Sequence, residues 1–403
     1  MPRGSPLRIA LVVERLAPGT GGVENVAWQV ARELVRRGER VSVIAREAVP
    51  CDGLEIVRVR SAGRRSPGRT LSFSRAAAAA VRTGRFDVVH GFSRTRHQDL
   101  FRAGGGSHAD HLARSHGPLG RTLRRLQPRH ASLLALDRAV FADPRQRIQC
   151  ASRLVADRLI THHGVDATRI LLLPNAVDAG RFDRERHAEA AHALRQRLDA
   201  LAERVWLFAG SGWHRKGLAR CFAALTRIRD PRLSLWVAGR DDAAAWRRRA
   251  RRAGLAERVR FIGPRDDLEV VYAAVDGLVL PTRYDPFANV TFEAAAAGLP
   301  IVTSRGNGAA EWLSREACVV VGSDGDASDD DEALGPALAD ALGRVSDTDL
   351  GRRMGEAARR EVRRFDWGDH VAALQAEYAR IVAARGPASA PADATPSARR
   401  DVA

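Results

Sequence analysis

Lysine is almost missing from this chain. Of its 65 basic residues one is a lysine, Lys216, and all the others are arginines. With alanine and glycine abundant, this pattern fits a GC-rich coding bias that puts Arg wherever Arg or Lys will serve. The formal charge of +17 is therefore partly compositional. Taken alone it asks only for an anionic partner, whether nucleic acid, a membrane surface or a substrate. The converse carries more information. The single position that keeps Lys is a candidate for needing a compact ammonium instead of a planar guanidinium.

Cysteine is scarce as well. Cys51, Cys150, Cys221 and Cys318 lie far apart with no Cys-x-x-Cys pair, which argues against a zinc site or a disulfide framework. Buried small apolar residues in a reducing cytoplasm are the expectation. Aromatics are only 5% and do not interleave with the arginine runs, which argues against a nucleic-acid binder. No apolar run approaches the ~20 residues that span a bilayer. The opening apolar stretch Leu7–Val13 is followed at once by Glu14 and reads as a first strand, not a signal peptide. What remains is an ordinary globular balance over 403 residues, 45% hydrophobic and 28% charged, enough for two or three domains.

Strand and helix signals alternate in two series. Leu7–Val13 predicts a strand, and a loop with Gly19, Gly21 and Gly22 follows. A helix over Val23–Arg37, strands at Val41–Ala45 and Glu55–Val59, a helix at Ser72–Thr83 and a strand at Phe86–His90 come next. The second series runs from a strand at Val205–Ala209 through strands at Leu233–Ala238, Val259–Ile262, Gly277–Leu280 and Ile301–Ser304, with helices between them. Such βαβα order predicts parallel sheets covered on both faces. The fold class is α/β, two doubly wound Rossmann-like domains facing across a cleft. The expected division is residues 1–175 for the first domain and 176–365 for the second. A crossover helix over 366–386 returns to the first, and 387–403, rich in Ala, Pro and Ser, is a disordered tail. Ligands of such domains sit at the carboxyl ends of the strands, so chemistry is sought in the loops there.

Three loops qualify. Gly210-Ser211-Gly212-Trp213-His214-Arg215-Lys216-Gly217 leads from a strand into a helix. Glycines allow close backbone approach, a helix N-terminus offers N–H groups, and Arg215 and Lys216 add two positive charges; a diphosphate suits all three. The alternative is a tight turn with solvated charges, which the placement of the sole lysine disfavours. The second loop, Tyr284 to Glu293, holds Asp285 and Glu293 with seven residues between them and Asn289 as an expected N-cap. A glutamate one turn into a helix can accept from the vicinal hydroxyls of a ribose, and Asp285 would reach a sugar. A capping acid followed by a surface acid fits the spacing equally. The third, Gly19-Thr20-Gly21-Gly22, lacks the full Gly-x-Gly-x-x-Gly order and suits either a turn or approach to a donor from the opposite domain. His108 and Asp110 are weaker candidates for the cleft wall, and His90, His97, His111 and His116 match no metal triad. Leu119, Leu123 and Leu126, ringed by Arg121, Arg124, Arg125 and Arg129, make a short basic amphipathic surface. A solvated arginine face is the alternative there.

In this order, the linker Pro174-Asn175-Ala176-Val177-Asp178, the Gly-x-x-Arg-Lys-Gly segment Gly212–Gly217, and the acid-x7-Glu segment running into Ala294–Pro300 resemble glycosyltransferase family 4. That family has retaining enzymes of the GT-B fold. Val89-His90-Gly91-Phe92, Asp99-Leu100-Phe101 and Ser107-His108-Ala109-Asp110 bring the lipopolysaccharide core glucosyltransferase I group nearest. The resemblance implies that Arg215 and Lys216 neutralise the departing nucleotide diphosphate. It places Glu293 on the ribose and Asp285 on the transferred sugar. The amides of Asn289 and Val290 would meet the phosphate, Arg265 would lie near the base, and Gly21, Gly22 and Gly212 would approach the donor. The usual first acid of the family is Glu, one methylene longer than Asp285. The implied donor is a nucleotide-sugar, UDP-glucose by resemblance. The implied acceptor is a lipid-linked or cell-envelope glycan, met peripherally at the anionic cytoplasmic face of the inner membrane. No further cofactor and no metal are expected, since two cations and a helix N-terminus can stabilise a leaving diphosphate. A sugar-nucleotide epimerase shares this architecture; products formed from donor alone separate the two readings.

Overall fold

The computed structural model describes residues 5–19, 21–61, 68–115, 118–322 and 333–385. The first sheet contains β1 (Arg8–Val12), β2 (Arg40–Ala45), β3 (Leu54–Arg58), β4 (Val88–Gly91), β5 (Leu100–Arg102), β6 (Arg147–Cys150) and β7 (Ile170–Leu172). Its seven strands are ordered β3-β2-β1-β4-β5-β6-β7, every pair parallel. The second sheet contains β8 (Arg204–Ala209), β9 (Leu233–Ala238), β10 (Val259–Gly263), β11 (Gly277–Leu280), β12 (Ile301–Ser304) and β13 (Cys318–Val321). Its six strands are ordered β10-β9-β8-β11-β12-β13, again all parallel. Both are doubly wound. In each, the order reverses beside the first strand, so the loops after β1 and β8 lie at the switch points where such sheets bind ligands.

The strands are apolar on both faces because helices cover both. Ile9, Ala10, Leu11 and Val12 of β1 are all fully buried. The helix Gly22–Arg36 turns Val26, Ala27, Val30, Ala31 and Leu34 inward at helical spacing, and Gly53 and Gly38 adopt positive φ at the turns beside it. Four strands of the two sheets, β5, β6, β7 and β13, have no counterpart in the elements expected from sequence. They are three or four residues long, and β5 and β6 carry buried polar residues, Arg102 and Gln149, so the apolar pattern is broken where they run. The acidic stretch Gly322–Asp331, which its composition marks as a surface loop, lies outside the described residues beyond Gly322, as does the tail 387–403.

Two segments cross between the sheets. One passes through Pro174–Val177; the other returns at Phe365, whose carbonyl accepts from the Val177 N–H at 2.9 Å. The helix Trp367–Ala384, started by an Asp366 side chain that accepts from the Asp369 N–H, then lies on the first sheet. Val371, Leu374, Tyr378 and Ile381 pack with Ile9, Leu11, Leu34 and Leu100 there.

Candidate active site

The sole lysine is held by backbone conformations that only glycine adopts easily. Gly210, Gly212 and Gly217 have φ of +113°, +81° and +85°. A Cβ on Gly210 would stand 2.6 Å from Cε of Lys216, and one on Gly217 would run into the Pro281 carbonyl. The Lys216 side chain thus passes over bare backbone, is 7% exposed, and donates to Oδ2 of Asp285 at 2.9 Å. Arg215 donates to the same oxygen at 3.3 Å and to the Tyr284 carbonyl at 2.6 Å. Burial pushes the Asp285 carboxyl up, but Lys216 and Arg215 outweigh it and hold the group below the usual range. Among the described residues no hydrogen bond is made to Oδ1 of Asp285.

One expectation for this loop is corrected. The N–H groups of Gly212 and Trp213 do not face an open site: they donate to Oδ1 and Oδ2 of Asp241, at 2.8 and 2.6 Å. Asp241 follows β9 directly beside β8, and its carboxylate already fills the anion position of the short helix Trp213–Lys216. The charge this loop offers comes from its two cationic side chains. An acid just past the neighbouring parallel strand was the signal in the sequence.

Glu293 lies in the second turn of the helix Asn289–Ala296. Its Oε2 accepts from the hydroxyl of fully buried Tyr272 at 2.8 Å. Burial raises the Glu293 carboxyl, against that hydrogen bond and the charges of Arg181 and Lys216. Burial and Glu293 together push the Tyr272 phenol well up. Asn289 is not the N-cap. Ala288 takes that place without a side-chain cap, because the Asn289 side chain is engaged elsewhere: its Oδ1 accepts from Asn175 Nδ2 at 2.7 Å. Asn175 in turn accepts from Arg102 at 2.8 Å. The N–H groups of Asn289 and Val290 precede the first intrahelical bonds.

The loops after strands of the first sheet meet this wall. Gly22 faces Asn289, whose Nδ2 is 3.5 Å from where a Cβ would stand. Gly21 is extended, with φ −177°, and its lack of a side chain leaves room for the Glu24 carboxylate. A side chain on Gly106 would run into the Tyr284 hydroxyl, and Ser152 donates to the Pro286 carbonyl at 2.7 Å. Arg265 stands apart. It forms a two-pronged ion pair with Asp267 and lines a cavity of about 850 Å³ beside edge strand β10, with Arg247, Arg251 and Arg260. Among the described residues no group of three or more histidines, cysteines or carboxylates is placed to hold a metal ion. His90 is buried against Tyr378, while the His108 ring stacks on His130 and the His108 backbone N–H donates to Asp137. Asp347 and Asp349 are engaged at a helix start, Asp347 capping it and Asp349 pairing with Arg352.

Two facing doubly wound domains, with cationic and glycine loops meeting at their carboxyl edges, define the GT-B class of glycosyltransferase. Residues 20–181 match the family described as Glycosyltransferase Family 4, and residues 203–343 match Glycosyl transferases group 1. A probable transglycosylase of Burkholderia thailandensis is 31% identical over 84% of this chain and 88% of its own. Lipopolysaccharide glucosyltransferase WaaG of Escherichia coli is 24% identical over 75% of this chain and 81% of its own. A crystal structure of WaaG shares the fold with a TM-score of 0.77 at 22% identity, covering 93% of this chain and 99% of that one. So does Anabaena HepE in complex with UDP-glucose, with a TM-score of 0.67 at 17% identity, covering 92% and 100%. The chain belongs to glycosyltransferase family 4 and is a glycosyltransferase.

Proposed function

We propose that this enzyme transfers a hexose, glucose foremost, from a UDP-sugar to a lipopolysaccharide-core or other cell-envelope glycan, with retention of configuration and without a metal. One observation carries the reading: the only lysine is buried at the cleft and joined to Arg215 through Asp285, giving two cations where a diphosphate departs. The names of WaaG and of the HepE complex support the glucosyl donor and the envelope acceptor. Lys216 and Arg215 stabilise the growing charge on the diphosphate, the kind of contact that contributes most to such reactions. The amides of Asn289 and Val290 meet the phosphate. Glu293 accepts from the ribose hydroxyls, and the open Oδ1 of Asp285 accepts from the transferred sugar. Gly21, Gly22 and Gly212 allow close approach, while Arg265, paired with Asp267 away from these loops, is given no contact with the donor. The bond from the anomeric carbon to the phosphate oxygen breaks as the acceptor hydroxyl attacks the same face. The leaving phosphate oxygen takes the acceptor's proton.

A thermal-shift panel of UDP-, GDP- and ADP-sugars tests this. The matching donor at 100 times its dissociation constant stabilises the protein by about 2.7 kcal/mol. NMR of the transferred anomeric proton then reads the configuration. A panel in which no nucleotide-sugar raises the melting temperature removes the reading.

A further inference from the structure

Three buried or half-buried side chains from three parts of the fold form one line of hydrogen bonds into the cleft. Arg102 ends β5 and is 4% exposed; Asn175 lies on the crossing segment and is 2% exposed; Asn289 opens a helix of the second domain. Arg102 Nη2 donates to Asn175 Oδ1 at 2.8 Å, and Asn175 Nδ2 donates to Asn289 Oδ1 at 2.7 Å.

The direction of this line is forced. A guanidinium has five N–H donors and no acceptor, whereas an amide side chain carries both and is turned by its neighbours. Asn175 can meet Arg102 only with its oxygen, so it must turn its NH₂ to Asn289. Asn289 can meet that NH₂ only with its own oxygen, so its NH₂ is the end left over. That Nδ2 makes no hydrogen bond among the described residues and points to Gly22 across the cleft. Reversing either amide would set two donors, or two acceptors, face to face at hydrogen-bond distance.

We propose that Arg102 is a positioning residue which, through Asn175, fixes the Asn289 side chain as a hydrogen-bond donor to the donor diphosphate. This rests on the reading of the cleft as a nucleotide-sugar site. Without Arg102, Asn289 could equally present its carbonyl oxygen, which repels a phosphate oxygen. Arg102 also leaves Nε and Nη1 buried without partners, a placement that packing alone does not reward. Burial lowers its guanidinium to about 10, still a cation at neutral pH.

The decisive variant is Asn175→Asp. The introduced carboxylate accepts from Arg102 as before, now with a full opposite charge, but can no longer donate. Asn289 must then turn its NH₂ toward that carboxylate and its oxygen toward the diphosphate. Calorimetry with UDP should show affinity reduced ~10- to 100-fold, the range for losing a hydrogen bond to a charged group. The melting temperature should not fall. A second pair guards against misfolding of that variant. Arg102→Lys, still a donor without an acceptor, should keep UDP affinity near that of the parent. Arg102→Gln, which both donates and accepts, should lose several-fold. A purely structural role predicts no such split. Unchanged UDP affinity in Asn175→Asp, or equal affinities in the Lys and Gln variants, overturns the relay while leaving the nucleotide site in place. A parent protein that binds no UDP overturns both.

Discussion

Lys216 donates to Asp285 at 2.9 Å across the two loops that follow β8 and β11. The chain's one ammonium is thus paired with the acid at the mouth of the cleft, and Arg215 shares the same carboxylate oxygen. One negative charge holds two positive ones, which leaves a net positive site for a diphosphate. Asp285 also prevents the cations from repelling each other apart before the donor arrives.

Lys216→Ala should lower turnover by about 10²–10³, the usual loss for one transition-state charge contact. Lys216→Arg should not restore it. The lysine stem crosses Gly210 where a single methyl group would already collide, and a guanidinium is wider than that passage. Steady-state donor consumption at saturating sugar nucleotide checks both. Near-parental turnover in either variant would remove Lys216 from the role.

Much of this is legible in the sequence, and for a physical reason. The switch-point strands β1 and β8 are solid apolar runs, and the glycines after β8 mark left-handed turns, so the Lys216 loop stands out. Glu293 also falls on the helix expected for it. The relay Arg102-Asn175-Asn289 is not legible. Its members lie 73 and 114 residues apart along the chain, and each reads alone as ordinary. Arg102 even hides the strand it ends, because a buried arginine breaks the apolar pattern. Asn289 reads locally as a cap, but a partner from the linker overrides that signal. Asp241 shows in the sequence only as an acid just past a neighbouring strand; nothing local to the Gly212 loop shows that this carboxylate occupies the Gly212 and Trp213 amides.

Glu293→Ala should chiefly raise the Michaelis constant for donor, with a smaller change in turnover, because ribose hydroxyls are present in both ground and transition states. The pH dependence is a sharper check. The carboxylate must be ionised to accept two hydroxyl donors, so donor affinity is present above the Glu293 pKa and lost as pH falls through it. Burial raises that pKa, so the loss begins at higher pH than for an ordinary glutamate. Tyr272→Phe removes a hydrogen bond that favours the ionised form and should move the loss higher still. UDP titrations from pH 8 downward read both; an acid limb that Tyr272→Phe leaves in place contradicts the assignment.

His370 predicts how the fold responds to acid. It sits on the closing helix, 4% exposed, with Nδ1 on the Pro174 carbonyl at 2.8 Å. Burial lowers it from 6.5 to about 4, opposed by that carbonyl and aided by the charge of Arg102. A base depressed in the folded state stabilises the fold fully above its unfolded value. That contribution is lost as pH falls through 6.5 toward 4, up to about 3 kcal/mol in all. Buried His90, lowered by burial and then by Arg102, adds a slope of the same sign. Urea unfolding at pH 7.5 and 4.5 should show the drop, and His370→Gln should shrink it. An equal drop in that variant would place the acid sensitivity elsewhere.

Association with anionic bilayers is expected at the helix Pro118–Arg125 and the turn after it. No helix among the described residues is long and apolar enough to cross a membrane. Leu123 and Leu126 are 59% and 77% exposed, high for leucine, and Arg124, Arg125 and Arg129 are exposed around them. Leucines that enter the headgroup region beside arginines that meet lipid phosphates give a reversible dock. Each arginine contributes roughly 1 kcal/mol near an anionic leaflet, screened by salt within about 10 Å at 0.1 M. A lipid-linked acceptor confined to that surface would make such docking useful to a transferase. The opposing account is an arginine-rich face left by coding bias, which would bind polyanions weakly and ignore the leucines. Co-sedimentation with phosphatidylglycerol vesicles separates the two. Binding should fall steeply with salt and should drop when Arg121, Arg124, Arg125 and Arg129 are changed together to Gln. Leu123→Ser with Leu126→Ser should weaken binding that survives moderate salt. If both variants sediment like the parent at low salt, this segment is not the docking surface.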